Sequence, residues 1–324
     1  MQWETTTITD IGIDLSLGND LFYATVDWYN KVTEGILAQS PIPSSIGLDA
    51  PTVNYGSMQN KGIEFEVGHR NRLGDFRYGA NFMASFNKNK VTKLMAPSYG
   101  DYIYEEGKPY GEHYLYIWDG IFQSDADIAS SPSHPNNPKP GDIKFKDLNG
   151  DGAITGADRQ MVEGVYPKML YSFSLNFEYK RFDLSAFFQG ISGRKIWTNC
   201  FGSEPFYQGS PPEKKWLNAW TPENTDTNLP AIYEFGYTPI TGLRSTFYLK
   251  DASYLRLKNL QFGFNFPKEW IGKTGIDFLR IYFSGENLLT FTPYETFDPE
   301  RAGDGWHVQY PHLKTFSFGL NVKF

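Results

Sequence analysis

The chain has 324 residues, a formal net charge of −7 and 17% aromatic residues: 26 Phe, 21 Tyr and 8 Trp. Mean hydropathy is −0.46, and no apolar run reaches about 18 residues. Membrane-spanning helices are therefore excluded, whereas spanning strands, whose hydrophobicity hides in alternation, are not. Scattered basic residues exclude an extended nucleic-acid surface, and the single Cys200 excludes an internal disulfide without fixing a redox compartment.

No secretory signal opens the chain, and Met1 runs straight into strand-like sequence. The expectation is that a preceding segment was removed or that the sequence starts within a longer protein. Residues 5–17 end in Ile11, Ile13, Leu15 and Leu17, alternating with Gly12, Asp14 and Ser16. Gly18, Asn19 and Asp20 tolerate positive φ and make the turn. Phe22, Ala24, Val26 and Trp28 alternate with Tyr23, Thr25, Asp27 and Tyr29 on the way back. Residues 37–60, rich in Pro, Ser and Gly, read as a loop. Two strands follow, one through Ile63, Phe65 and Val67 and one from Phe76 to Phe86, joined by a turn at 71–75.

Residues 90–167 read as a long irregular segment, with a possible extra strand pair around Tyr114 to Phe122. Strands at 171–179 and 182–188 flank a tight turn at Lys180 and Arg181. A second long loop spans about 191–248. Leu260, Phe262 and Phe264 then alternate with Gln261, Gly263 and Asn265 up to Pro267, which cannot donate to a ladder. Leu279, Ile281 and Phe283 alternate with Arg280, Tyr282 and Ser284. After a loop at 290–311, Phe316, Phe318, Leu320, Val322 and Phe324 alternate with Ser317, Gly319, Asn321 and Lys323. Successive side chains of a strand point to opposite faces, so each span has one apolar face and one wet face.

Short and long connections alternate without exception. That places all short turns on one rim and all long loops on the other, as in outer-membrane barrels. The expected fold is all-β: an antiparallel transmembrane β-barrel portion of about 9 to 11 strands with long extracellular loops. Nine strands, an odd number, imply further strands before this stretch, because an open sheet would leave unpaired edge groups in lipid. One partial barrel domain over 1–324 is expected, with 90–167 and 191–248 as its long loops.

Five stretches then fall in order: 60–66 (Asn-Lys-Gly-Ile-Glu-Phe-Glu), 119–123 (Asp-Gly-Ile-Phe-Gln), 141–152 (Gly-Asp-Ile-Lys-Phe-Lys-Asp-Leu-Asn-Gly-Asp-Gly), 252–260 (Ala-Ser-Tyr-Leu-Arg-Leu-Lys-Asn-Leu) and 285–290 (Gly-Glu-Asn-Leu-Leu-Thr). Together they resemble the carboxy-terminal part of SusC/RagA-type TonB-dependent outer-membrane transporters, over essentially the whole chain. The resemblance implies a barrel of about 22 strands closed by an amino-terminal plug. It implies import of an oligosaccharide or peptide ligand, a SusD-like surface lipoprotein as lid, and energy from TonB–ExbB–ExbD through the amino-terminal region. The outer membrane is the implied location and its lipid an implied partner. Plug, TonB box and early strands have no counterpart here, so this stretch alone is not expected to transport.

Residues 147–158 fit a calcium loop. Asp147, Asn149 and Asp151 hold positions one, three and five, Gly152 the sharp turn, and Ala153 a carbonyl position. Asp158 takes the last position, where a bidentate Glu is usual, which makes Mg²⁺ an alternative to Ca²⁺. An Asx/Gly turn without metal is the competing reading. Tyr114, Tyr116, Trp118, Trp197, Tyr207, Trp216, Trp220, Tyr237 and Trp306 offer aromatic faces to a ligand; loop packing is the competing reading for each. Of these, Tyr114, Trp118, Trp197, Trp216, Trp220 and Trp306 are the substrate-binding candidates. Glu64, Glu66, Arg77, Asn81, Asn87 and Arg280 lie on wet strand faces and would line the pathway or a plug contact. His307 and His312, near Asp298 and Glu300, could coordinate a ligand or sit in a hydrated loop tip. No catalytic motif is found among the five His or elsewhere, so a barrel enzyme is disfavoured. A soluble extracellular Ca-stabilised β-sandwich carbohydrate-binding module is the alternative; it leaves the sorted rims unexplained.

Overall fold

A computed structural model of the protein describes residues 2–324 except 41, 44, 46, 199–203, 207, 208, 210, 234–242, 273, 274, 296, 297 and 301–309. In chain order the strands are β1 (Thr5–Leu17), β2 (Phe22–Gln39), β3 (Thr52–Leu73), β4 (Phe76–Lys93), β5 (Ser98–Tyr99), β6 (Tyr102–Tyr104), β7 (Glu112–Tyr116), β8 (Trp118–Ile121), β9 (Ile143–Phe145), β10 (Arg159–Val162), β11 (Met169–Tyr179), β12 (Phe182–Ser192), β13 (Lys195–Trp197), β14 (Leu249–Asp251), β15 (Tyr254–Asn265), β16 (Phe278–Phe291) and β17 (Thr315–Lys323). Two short helices, α1 (Asp125–Ser130) and α2 (Lys268–Ile271), lie in connections.

Nine of these strands form one antiparallel sheet in the order β1-β2-β3-β4-β11-β12-β15-β16-β17. These are the nine spans read from alternation, and neighbours in sequence are neighbours in the sheet. Gly18, Asn19 and Asp20 all take positive φ (63°, 56° and 64°) in the first turn, as the short connection demands. The register aligns like faces. Ile13 opposes Val26, Val26 opposes Phe65 and Phe65 opposes Ala84, so one face of the sheet is apolar throughout.

That apolar face is not covered by a second layer. Leu17 is 66% exposed and Phe318 85%. The buried hydrophobic residues gather instead in the long loops, in a cluster of Leu115, Tyr116, Ile143, Phe145, Ile154, Trp197, Phe247 and Tyr248. A β-sandwich requires the opposite distribution, with the apolar strand face dry. A continuous bare apolar face of this extent marks a surface covered by a membrane or a partner, and the sorted rims fit a membrane.

The strands exceed their apolar stretches. β3 has 22 residues, about 70 Å of extended chain, against an apolar band about 25 Å tall in such walls. The stretch 37–60, expected to be a loop, is therefore half ladder, with the connection at 40–51. Beyond the lipid, backbone pairing continues but side chains need no longer alternate, so the pattern fades while the strand does not. A bulge where β2 passes Gly35 (φ 69°) bends this extension.

Among the described residues, 90–167 and 191–248 also carry short ordered elements. The four-stranded sheet β10-β7-β6-β5 and the pairs β8-β9 and β13-β14 are small ladders within the loops. Strands do lie near Tyr114 to Phe122, as β7 and β8, but they do not pair with each other: β7 pairs with β10 and β6, β8 pairs with β9, and both lie outside the nine-stranded sheet.

Candidate functional site: a polar wall beneath a loop crown

The wet strand faces form a continuous polar surface. Glu64 accepts from Ser85 Oγ at 2.9 Å, Glu66 accepts from Asn81, and Arg77 pairs with Glu178 at 3.4 Å. A hollow of about 410 Å³ on this surface is lined by Thr25, Asp27, Glu64, Glu66, Ser85 and Gln189, among others. Near the short-turn rim Arg280 reaches across β15 to pair with Asp183, its Nε donating at 3.1 Å. The strand between them carries Gly263 at the crossing point. A Cβ there would stand 2.5 Å from both Arg280 Nη2 and Asp183 Oδ2, so the pair exists because that residue has no side chain. Of the predicted polar-wall residues, Asn87 alone is exposed with no partner observed among the described residues.

Above the wall the two longest loops interlock. Tyr116 N–H donates to the Arg244 carbonyl at 3.1 Å and Trp118 N–H to Thr246 Oγ1 at 2.9 Å. The Arg244 guanidinium lies 4.2 Å from the Trp197 ring and 4.8 Å from that of Tyr102. Ala231 N–H donates to the Gly141 carbonyl at 2.8 Å. Gly141, at φ 97°, could carry no Cβ without meeting Ala231 and Trp220. Glu112 is buried, its Oε2 accepting from Gly164 N–H at 2.8 Å and Val165 N–H at 3.1 Å. Burial pushes its pKa up, and those two bonds only partly oppose the shift.

Most of the predicted ligand-binding aromatics serve this crown as packing. Trp197, Trp216 and Trp220 are buried, and Trp220 Nε1 donates to Gln123 at 2.9 Å. Trp118 sits edge-on to Phe247, with its Nε1 bonded to the Gly120 carbonyl. Tyr114 is half-buried beneath the Arg159 guanidinium, 4.7 Å from its ring. Flat apolar faces have the most to gain from mutual burial in a loop assembly without other core. Trp306, Tyr207, Tyr237 and His307 lie outside the described residues.

In the predicted cation loop, Asp147 accepts from Gly150 N–H (2.7 Å) and Gly152 N–H (2.8 Å), and both glycines have positive φ. Asn149 accepts from Asp151 N–H and Asp151 from Ala153 N–H, each at 2.9 Å. Asp158 departs from the expectation. It is fully buried, and its oxygens accept from Leu148 N–H (2.9 Å) and Thr155 N–H (2.7 Å). Burial raises its pKa, but these bonds outweigh it and hold the carboxyl below the usual range. Its task is to close the loop, so a cation would fall to Asp147, Asn149, Asp151 and the Ala153 carbonyl. Among the described residues no three His, Cys, Asp or Glu side chains converge on a point. The remaining oxygens fit only a hard, largely hydrated ion.

The cations that meet Asp298 and Glu300 were not singled out from sequence. Arg256 on β15 is 3% exposed and its Nη2 pairs with Asp298 at 2.8 Å. Lys258 pairs with Glu300 at 2.7 Å, and His312 contacts Asp298 at 3.1 Å and Glu300 at 3.4 Å. Burial raises the Asp298 pKa, but Arg256 and the N–H groups of Glu300 and His312 prevail and hold it far below the ordinary carboxylate value. With two cations already in place, this cluster anchors the loop before β17 to the wall rather than presenting a metal site.

A family model described as TonB dependent receptor-like, beta-barrel, matches residues 1–288. The chain belongs to that family. The chain is 34% identical to TonB-dependent receptor P3 of Formosa agariphila over all of its own length and 34% of that protein. It is 24% identical to TonB-dependent receptor SusC of Bacteroides thetaiotaomicron, over all of this chain and 32% of SusC. The structure of the RagAB peptide transporter superposes with a TM-score of 0.81 at 26% identity, covering 99% of this chain and 35% of that one. The chain thus spans about a third of the length of these relatives and forms part of a SusC/RagA-type barrel. Membership implies the outer membrane, and the family is one of receptors and transporters rather than enzymes.

Proposed function

We propose that this chain supplies wall and crown to an outer-membrane importer of oligosaccharides or peptides. It works with a SusD-like surface lipoprotein and draws energy from TonB–ExbB–ExbD through a region outside this chain. The observation that carries the reading is the fit of 99% of the chain to the RagAB peptide transporter at a TM-score of 0.81. The polar wall supports it, since a hydrated lumen passes polar solutes that lipid excludes. Tyr114 and Trp118, whose rings remain partly open, are the aromatic contacts we assign to ligand, together with Trp306. The loop at 147–153 holds a Ca²⁺ or Mg²⁺ ion that stiffens the crown.

The test is uptake of fluorescent oligosaccharide and peptide pools by cells with and without the full receptor, in tonB⁺ and tonB⁻ backgrounds. One pool should enter only when both are present. Entry of both pools regardless of the receptor would refute the import reading. For the cation, millimolar Ca²⁺ should raise the melting temperature of the purified receptor, and Asp147→Asn/Asp151→Asn should abolish that rise. A melting temperature indifferent to Ca²⁺, Mg²⁺ and chelator would remove the ion from the proposal.

A further inference from the structure

The outer face of β2, β3 and β4 changes character abruptly at the long-loop rim. One cross-strand row is Trp28, Ile63 and Phe86, all exposed and apolar. The next row, two residues further along each strand, is Asn30, Lys61 and Lys88. Two residues span about 7 Å, so apolar contact gives way to positive charge within one headgroup layer. The row beyond holds Gln59 opposite Lys90. At the short-turn rim β3 and β4 end instead in Leu73 opposite Phe76.

Lys61 and Lys88 oppose each other directly, an arrangement that puts Cβ atoms about 5 Å apart and is destabilising for like charges in the absence of an anion. Both are exposed. Among the described residues neither they nor Lys90 forms an ion pair with any carboxylate. Lys61 and Lys88 line, with the apolar row, a groove of about 750 Å³ that the loop residues Pro109, Tyr166 and Pro167 also line, together with Glu112, whose carboxylate is taken up by the Gly164 and Val165 N–H groups, and Glu163. Lys168, at the same groove, already has Glu163 as partner at 3.1 Å.

We infer that this groove binds the phosphorylated headgroup of an outer-leaflet glycolipid, with phosphate between Lys61 and Lys88 and acyl chains over Trp28, Ile63 and Phe86. The inference rests on the outer-membrane reading above but not on import. The apolar floor favours a lipid over free phosphate, and the unpaired cations favour a phosphorylated lipid over a neutral one.

The full receptor, extracted in mild detergent and delipidated, is titrated with diphosphoryl lipid A, with phosphatidylcholine and with inorganic phosphate, and adducts are counted by native mass spectrometry. Lipid A should be retained, phosphatidylcholine should not, and inorganic phosphate should displace lipid A only at far higher concentration. Lys61→Gln/Lys88→Gln should weaken retention roughly thirtyfold, at about fivefold per lysine near an anionic surface. Lys61→Arg/Lys88→Arg should retain it, as should Lys180→Gln at the opposite rim. Heat-modifiable gel migration confirms that each variant is a folded barrel. Retention unchanged in the Gln pair, equal retention of phosphatidylcholine, or displacement by phosphate at matching concentration would each overturn the inference. Binding is read without transport, so its failure leaves import untouched, and loss of import leaves the lipid result standing.

Discussion

Arg256→Met should release the loop before β17 while leaving the wall intact. The guanidinium is 3% exposed and its partner Asp298 7% by side chain. It also donates from Nε to Thr290 at 2.9 Å and lies 3.3 Å from Glu300. Removing one partner of a buried pair costs about 3–5 kcal/mol, because the other charge is left without compensation. Lys258 and His312 still face the carboxylates, so the lower end applies, about 3 kcal/mol. At 1.4 kcal/mol per decade that is roughly two powers of ten in the opening equilibrium. The amides that report it are those of Glu300 and His312, which donate to Asp298 at 2.9 Å each. Their hydrogen exchange in the full receptor should accelerate about a hundredfold, while the β16–β17 ladder keeps its protection. Unchanged exchange at residues 300 and 312, or equal acceleration along β16, would show that Arg256 does not anchor this loop.

Other expectations follow from single contacts. Gly263→Val should push Arg280 off Asp183 and lower stability by about 1–3 kcal/mol, and Asp183→Asn/Gly263→Val should be little worse than Gly263→Val alone; additive losses would argue against the shared contact. His134 stacks on Phe145 and its pKa is lowered to about 4 by burial. The unfolded chain therefore takes up its proton near pH 6.5 while the folded one resists to about pH 4, so crown stability should fall across that window as pH drops, by at most roughly 3 kcal/mol. His134→Phe should flatten that dependence in protease-susceptibility profiles, and an unchanged slope would assign it elsewhere. Trp216→Ala should open a cavity costing about 3–5 kcal/mol and make the crown protease-sensitive, whereas Trp220→Phe, losing chiefly the bond to Gln123, should cost about 1 kcal/mol.

The wall was legible because lipid imposes a strict rule on every second residue. All nine spans, both kinds of rim and the positive-φ turn at Gly18 to Asp20 follow from that rule. Its reach ends where lipid ends. Leu37 to Gln39 and Thr52 to Asn60 continue the ladder past a bulge, yet water accepts almost any side chain there, so composition suggested a loop. The crown was misjudged for a related reason. Its ladders are 2 to 5 residues long, too short for periodicity to declare itself. Its aromatics invited a ligand because nothing in the local sequence revealed that the partners of Trp197 would be Arg244 and Tyr248 from a distant part of the chain.

The Arg256 cluster lay between these cases, and a signal for it was present. Leu255 and Leu257 alternate at odd positions, whereas Leu260, Phe262 and Phe264 alternate at even ones. A parity break inside one strand requires an extra residue, and the register indeed shifts between Leu257 and Asn259. Arg256 occupies the face opposite the leucines and Lys258 the bulge itself. Both cations then reach one loop, at Asp298 and Glu300. Bulges re-aim side chains at barrel rims. Here the re-aimed charge is desolvated, and a desolvated cation requires acidic partners close by. The acidic residues of the last loop are therefore the specific counterpart of an irregularity about 40 residues earlier, and deleting Lys258 to restore parity should unpin that loop even though every acidic residue remains.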